Sequence, residues 1–311
     1  METFKLETSV FPLVSVIVIT YNSSETVIET LESIKAQTYE EIELIITDDA
    51  SKDGTVEICQ TWIDGNQSRF VRVKLLTVTN NSGTAANCNR GGAIANGKWL
   101  KYIAGDDLLM PNCIEDNVAF VQQNHHVDVV FSNLQAFGAN ASKTIDFFNR
   151  IIWTKPNKLN KRELHIIECY YNVFGAASSF ISKKMYQELS GFDEKIPLIE
   201  DWPFYVKATQ NHQVVVMDKV TVKYRIRENS VSMSDGGKSA LYKNNYKLCK
   251  WHNVKYMRKV SVLYGILGYF DYQLEFHYNV IWRFLGLTRY LNPYYYIRRK
   301  IINSLFPMYK K

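Results

Sequence analysis

Two hydrophobic periods alternate along the first third of the chain. Val14-Ser-Val-Ile-Val-Ile19 is a β-branched run of the buried-strand type. Residues 24–36 then place Val27, Ile28, Leu31 and Ile34 at helical spacing. Glu43–Thr47 predicts a second strand, and Asp53 an N-cap for a helix through Ile63. Residues 71–78 predict a third strand and 84–96 a third helix, with Gly97 at the C-cap and a fourth strand over 98–103. Strand–helix alternation of this kind builds a mostly parallel sheet flanked by helices. Beyond Pro111 the pattern predicts a helix to about Gln123 and a strand over 127–131. Residues 138–160 are polar and irregular, a loop or insertion. A helix follows over 161–172, a small apolar strand or loop over 174–182, and a short helix over 183–189 before Gly191. A helix over 202–210 and a strand over 214–224 complete the pattern.

Composition narrows the class. With 46% hydrophobic and 22% charged residues over 311 positions, disordered, fibrous and disulfide-stapled chains are excluded. Five cysteines without a CxxC pair suit a reducing compartment. No basic-then-apolar leader opens the sequence, and no apolar run is long enough to span a bilayer. The net charge of +6 is unevenly shared: residues 235–311 hold 14 Lys/Arg against 3 Asp/Glu, while residues 1–234 hold 23 against 28. The last segment also carries 18 of the 42 aromatic residues. The expected organisation is a body over residues 1–234, with halves of about 12–110 and 111–234, and a basic, aromatic, largely helical extension over 235–311.

Open parallel sheets bind ligands beyond the carboxyl ends of their strands. Those ends read Thr20-Tyr-Asn22, Asp48-Asp-Ala-Ser51 and Ala104-Gly-Asp-Asp107. Asp and Asn also serve turns, but two Asp pairs at two strand ends point to chemistry. Glu200-Asp201, before a helix that opens Trp202-Pro203, is a third carboxylate pair and also suits a helix N-cap. No GxGxxG or GxxxxGK[ST] loop follows a strand, and no His or His–Cys spacing suits zinc.

In their order these segments resemble the family 2 inverting glycosyltransferases. Pro12–Asn22 looks like that family's opening strand, and Thr47-Asp-Asp-Ala-Ser-Lys-Asp-Gly-Thr55 like its DD-x-S-x-DGT segment. Asn81-Ser-Gly83, Asn89, Gly91 and Gly97 keep the spacing of its middle stretch. Gly105-Asp-Asp107 falls at its metal-binding motif, and Gly191-Phe-Asp-Glu194 with Glu200-Asp201 at its GFDE and ED elements. The resemblance covers roughly residues 12–232 and implies a GT-A fold, an α/β architecture with a Rossmann-like sheet, and transfer from a nucleotide-diphosphate sugar. It places the donor over Thr20, Tyr21, Asp48, Asp49, Asn89 and Asp106. Tyr21 would stack on the base and Asp49 accept from a ring N–H. Asp106 would face the ribose and, with Asp107, hold Mg²⁺ or Mn²⁺, because carboxylates meet a diphosphate only across a cation. Asp201 would be the general base, with Glu200 its neighbour. Arg225 and Arg227 are candidate diphosphate contacts, since a guanidinium meets phosphate bidentately. The chain departs from the commonest pattern at Ala104, Cys88 and Arg227, where Asp, Arg and His are frequent.

The function expected is therefore a metal-dependent, inverting transfer from a UDP-sugar to a glycan or lipid-linked saccharide in cell-surface polysaccharide synthesis. The three departures keep a second reading open: a catalytically silent sugar-nucleotide-binding or scaffold protein of the same fold. Tyr294-Tyr-Tyr-Ile-Arg-Arg-Lys-Ile-Ile302 pairs apolar with cationic residues, as interfacial helices do. It predicts peripheral contact with an anionic membrane at the cytoplasmic face; packing against the body is the alternative. No RNA-binding motif supports nucleic acid as a partner.

Overall fold

The computed structural model of the protein describes residues 11–138, 141, 159–227 and 240–278. The loop expected over 138–160 and the interfacial segment around Tyr294–Ile302 lie almost wholly outside these residues.

The first half follows the alternation. Strands β1 (Val14–Thr20), β2 (Ile42–Asp48), β3 (Arg72–Thr77) and β4 (Trp99–Ala104) run parallel in the order β3-β2-β1-β4. Helices α1 (Val27–Lys35), α2 (Thr55–Asn66) and α3 (Thr84–Ile94) make the crossovers. Along β1 the side chains alternate between two cores. Val14, Val16 and Val18 pack with Leu31, Ile34 and Trp62, while Ile17 packs with Ile45 and Tyr102 on the other face. Both faces are covered, which is why these strands read as continuous apolar runs.

The second half is mixed. After a two-residue strand β5 (Leu108–Leu109), helix α4 (Cys113–Gln123) leads into β6 (Val129–Gly138). Helix α5 (Lys161–Tyr170) precedes a 3-10 turn at Ala176–Ser178 and the short strand β7 (Phe180–Ser182). Helices α6 (Lys183–Glu188) and α7 (Asp201–Asn211) lead to β8 (Val214–Ile226). The eight strands form one sheet, β3-β2-β1-β4-β7-β6-β8-β5. Strand β7 is antiparallel to both β4 and β6, β6 and β8 are parallel, and β5 is antiparallel to β8. The extension contributes α8 (Ala240–Val260) and α9 (Val262–Gln273). Helix α8 buries Cys249, Tyr256 and Met257 in the core that holds Trp202 and Tyr205. This part of the extension packs on the body.

Two glycine and cap assignments differ from expectation. The N-cap of α2 is Gly54, at φ 84°, not Asp53. Asp53 sits one residue earlier and accepts from the backbone N–H of Ser24 at 3.0 Å, tying the α2 start to the β1 loop. The C-cap of α3 is Ala95 rather than Gly97. Gly97 is required by close approach instead: a Cβ there would stand 2.4 Å from the backbone N of Ser15.

Gly91 has the same cause. A Cβ on this α3 residue would lie 2.4 Å from Ile17 Cγ2 and 3.3 Å from Thr47 Cγ2. Helix α3 thus rests directly on β1 and β2, which carries Asn87 and Arg90 to the strand ends. Gly91→Ala must push the helix off the sheet, an overpacking cost of about 1–3 kcal/mol. Urea unfolding at fixed m-value should show that loss, although Ala is the better helix former; an unchanged or raised midpoint would mean that α3 shifts freely.

Candidate functional site

Strand order reverses between β1 and β4, since the chain winds outward through β2 and β3 and then returns to the other side of β1. A crevice at the carboxyl ends is the consequence. An open cleft of about 580 Å³ lies there. Tyr21, Asp106 and Asp107 line it from the parallel half, and Glu200, Asp201 and Arg227 from the mixed half. Six of the eleven site residues expected from sequence therefore meet at one opening. Thr20, Asp48, Asp49 and Asn89 lie behind it, and Arg225 beside it.

The residues behind the cleft are engaged by the chain itself. Asp48 accepts from the Thr20 hydroxyl at 2.8 Å, and from the backbone and hydroxyl of Ser51 at 2.8 and 2.5 Å. These bonds fold the loop after β2 and hold Ala50 at φ 66°. Asp49 accepts from Gly83 N at 2.8 Å, Ser82 N at 3.0 Å and Ser82 Oγ at 2.8 Å, and pairs with Arg90 Nη2 at 2.6 Å. Burial would raise its carboxyl, but these donors outweigh burial and hold it below the usual range. Both oxygens of Asp49 are occupied, so the strand end is pinned to the start of α3. Asn89 is likewise saturated. Its amide donates to Phe192 O and Glu194 Oε1, and its oxygen accepts from Tyr186 Oη and Phe192 N, all within 2.8–2.9 Å. It clamps the Gly191–Glu194 turn against α3. Tyr21, by contrast, is half exposed at the rim.

Asp106 and Asp107 hang from the end of β4. Asp107 is buried, and its Oδ1 accepts from Arg225 N at 2.8 Å. The Arg225 side chain reaches back to Asp106 O at 2.7 Å and Glu29 at 2.8 Å, and stacks on Phe137 at 4.5 Å. Arg225 is thus a brace between β8 and the Asp pair. Arg227 Nε stands 3.4 Å from Asp106 Oδ2 at the cleft edge. Burial pushes Asp107 well up, and the adjacent Asp106 charge adds to it. Burial also raises Asp106, against the pull of Arg227 and Arg225. A half-exposed and a buried carboxylate that repel each other fit a divalent cation, which would relieve both. The donors are all oxygen, the set that Mg²⁺ and Mn²⁺ prefer. No group of three or more His, Cys, Asp or Glu side chains that could hold a metal ion gathers among the described residues.

Glu200 and Asp201 stand at the first turn of α7. Glu200 occupies the cap position, yet its side chain makes no capping bond. Asp201 Oδ2 accepts from Asn172 Nδ2 at 2.8 Å, and Oδ1 from Trp202 N at 2.8 Å. Burial raises both groups; Glu200, with Asp201 charge as the second cause, is pushed up to about 8. The donors on Asp201 favour its charged form, so within the pair Asp201 ionises first and its charge helps to hold Glu200 protonated. Behind them burial, and then the Asp201 charge, holds the Glu168 carboxyl well above its ordinary value.

Sequence reasoning missed Asn172, which orients Asp201; a single Asn after a helix gives no periodic signal. It also missed Lys101, wholly buried on β4, whose ammonium donates to Ala177 O at 2.6 Å and Ser179 O at 3.2 Å. Lys101 ties the cleft floor to β4. Its signal was legible, as the one charge inside the apolar run Trp99-Leu-Lys-Tyr-Ile103.

A sheet that reverses its order over an acidic cleft is a ligand-binding α/β fold with its site at the switch point. The model of glycosyl transferase family 2 matches residues 15–188, more than half of the sequence, and the chain belongs to that family. An uncharacterized glycosyltransferase of Methanocaldococcus jannaschii is 26% identical over 248 residues, covering 79% of this chain and 81% of the relative. A putative glycosyltransferase of Bacillus subtilis, EpsE, is 37% identical over 126 residues, 40% of this chain and 44% of its own. Among solved structures, Staphylococcus aureus TarS 1–349 in complex with UDP superposes with a TM-score of 0.62 at 17% identity, over 91% of this chain and 78% of that one. The mannosyltransferase PcManGT of Pyrobaculum calidifontis, in complex with GDP-Man and Mn²⁺, gives 0.57 at 18% identity, over 81% and 74%. The fold is GT-A, as the motifs implied, and the protein is a glycosyltransferase.

Proposed function

We propose that the chain is a metal-dependent, inverting glycosyltransferase that moves a sugar from a UDP-sugar to a saccharide or lipid-linked saccharide. The acceptor would belong to cell-surface polysaccharide synthesis at the cytoplasmic face of the membrane. One observation carries this reading: the pairs Asp106–Asp107 and Glu200–Asp201 open on the same cleft. The first suits a charged diphosphate and the second an acceptor hydroxyl. The neighbours support the donor class, since TarS is described with UDP and UDP-GlcNAc and PcManGT with GDP-Man and Mn²⁺.

In this mechanism Asp106 and Asp107 would hold Mg²⁺ or Mn²⁺, which would supply charge neutralisation for the departing diphosphate. Tyr21 offers its exposed ring to the base, and Arg227 its guanidinium to a phosphate. Thr20, Asp48 and Asp49 shape the pocket by fixing the loops after β1 and β2. The acceptor hydroxyl attacks the anomeric carbon from the face opposite the nucleotide. Its proton passes to Asp201, the anomeric C–O bond to the diphosphate breaks, and UDP leaves with the electron pair. Configuration inverts in this single displacement.

Release of UDP from a panel of UDP-sugars, with Mn²⁺ and with EDTA, tests the proposal. At least one sugar should release UDP with Mn²⁺ and none with EDTA. Thermal upshift by a UDP-sugar without turnover on any acceptor would favour the silent binding protein instead.

A further inference from the structure

We propose that the α8–α9 hairpin is an in-plane docking face for an anionic lipid bilayer, with α9 laid on the surface. Val262, Leu263, Ile266, Tyr269 and Phe270 are 43–70% exposed. At 100° per residue they fall within an arc of about 120°. The opposite side of the same helix, Gly265, Gly268 and Asp271, is buried against α8. The usual amphipathic pattern is thus inverted: the apolar stripe faces outward and the small residues inward. Trp251 of α8 extends the stripe, with its ring 6.3 Å from that of Tyr269.

The exposed charge of the hairpin itself has one sign. Residues 240–278 contain two acids, Asp271 and Glu275, and both turn onto the buried ammonium of Lys250, at 2.7 and 3.5 Å. Lys243, Lys255, Arg258 and Lys259 are exposed. The face therefore presents apolar side chains between cations, with its carboxylates withdrawn. That combination matches the headgroup and acyl boundary of an anionic leaflet, where aromatic rings settle and each Lys/Arg adds attraction. No helix of the described residues is long and apolar enough to cross a membrane, so the helix would lie in the interface.

The hairpin is also joined to the cleft. Tyr242, in the first turn of α8, lines the cleft, and Asn245 accepts from Leu198 N at 3.2 Å, just before Glu200–Asp201. Docking would hold the acceptor side of the cleft near the lipid surface. That last consequence rests on the lipid-linked reading of the acceptor; the docking itself does not.

The test uses the full chain with equimolar phosphatidylglycerol–phosphatidylcholine vesicles and with phosphatidylcholine alone. The wild type should partition to the anionic vesicles and be released by salt. The variant Leu263→Ser/Ile266→Ser/Phe270→Ser should lose about tenfold in partition, with its Tm and Tm rise with UDP-sugar and Mn²⁺ unchanged. Lys255→Gln/Lys259→Gln should weaken binding to the anionic vesicles only. All five native cysteines are buried, so Ile266→Cys accepts a polarity-sensitive dye selectively, and its emission should shift to the blue on anionic vesicles. An unmoved dye, or equal partition of wild type and triple variant, would overturn the proposal. A fall in Tm with unchanged partition would place residues 279–311 on this face, and a dimer dissociated by the triple variant would seat a second copy there. If vesicle binding is lost while UDP release persists, docking stands apart from the transfer chemistry; absent UDP release with intact docking would fault the proposed function alone.

Discussion

Asp107→Asn should lower UDP-sugar turnover by roughly a thousandfold. A cation at a leaving diphosphate supplies several kcal/mol of charge stabilisation, and about 1.4 kcal/mol is a factor of ten in rate. The amide keeps the shape and can still accept from Arg225 N, the 2.8 Å bond that ties β8 to the end of β4. Stability gives an independent readout. Burial and the Asp106 charge raise the Asp107 carboxyl in the folded state. A raised carboxyl contributes stability below its unfolded pKa and loses it as pH climbs through the folded value. In EDTA at neutral pH the variant should therefore melt at or above the wild-type temperature. Added Mn²⁺ and UDP-sugar should raise the wild type and leave the variant nearly unmoved. A variant that turns over at the wild-type rate would remove Asp107 from the metal site. One that melts far below wild type in EDTA would make it a structural residue.

The parallel half was legible because its physics is local. Strands β1 to β4 are buried on both faces, so runs such as Val14–Ile19 announce them, and the helices between carry single apolar stripes. The strand-end carboxylates were legible for the same reason: Asp48, Asp106 and Asp107 follow directly where an apolar run stops. The mixed half gave weaker signals. Strand β5 has two residues and β7 three, too short for a period; β8 supplies the partner of the first, and β4 and β6 flank the second. Strand β6 extends to Gly138, past its apolar run, held by ten residues of β8. Roles within the site were less legible than membership. The sequence marked Asp48, Asp49 and Asn89 as polar residues near a site, but not that their oxygens and amide would be filled by Ser51, Arg90 and the Gly191–Glu194 turn. Those partners are 3 to 105 positions away, and only the fold brings them within hydrogen-bond reach.

Asp201→Asn should nearly abolish transfer while leaving the donor in place. A positioned general base contributes about 10²–10⁴-fold, and the loss should fall wholly on the acceptor step. The UDP-sugar thermal shift should stay at its wild-type size, because Asp106, Asp107 and Tyr21 are untouched. Asn retains an oxygen for Asn172 or for Trp202 N, so α7 should still begin at the same residue. The pH profile separates the two carboxylates. Burial raises Asp201 above the ordinary aspartate range of about 3.9, while the bonds from Asn172 and Trp202 pull against it. Transfer needs the ionised form, so the wild-type rate should climb with pH through an apparent pKa above that range. Glu200, pushed to about 8, is still neutral when Asp201 titrates. Glu200→Gln imitates that neutral acid and should leave the rising limb where it was, with a milder loss of rate. If Glu200→Gln abolishes transfer and Asp201→Asn does not, the base is Glu200, and the two bonds to Asp201 serve only to anchor the helix.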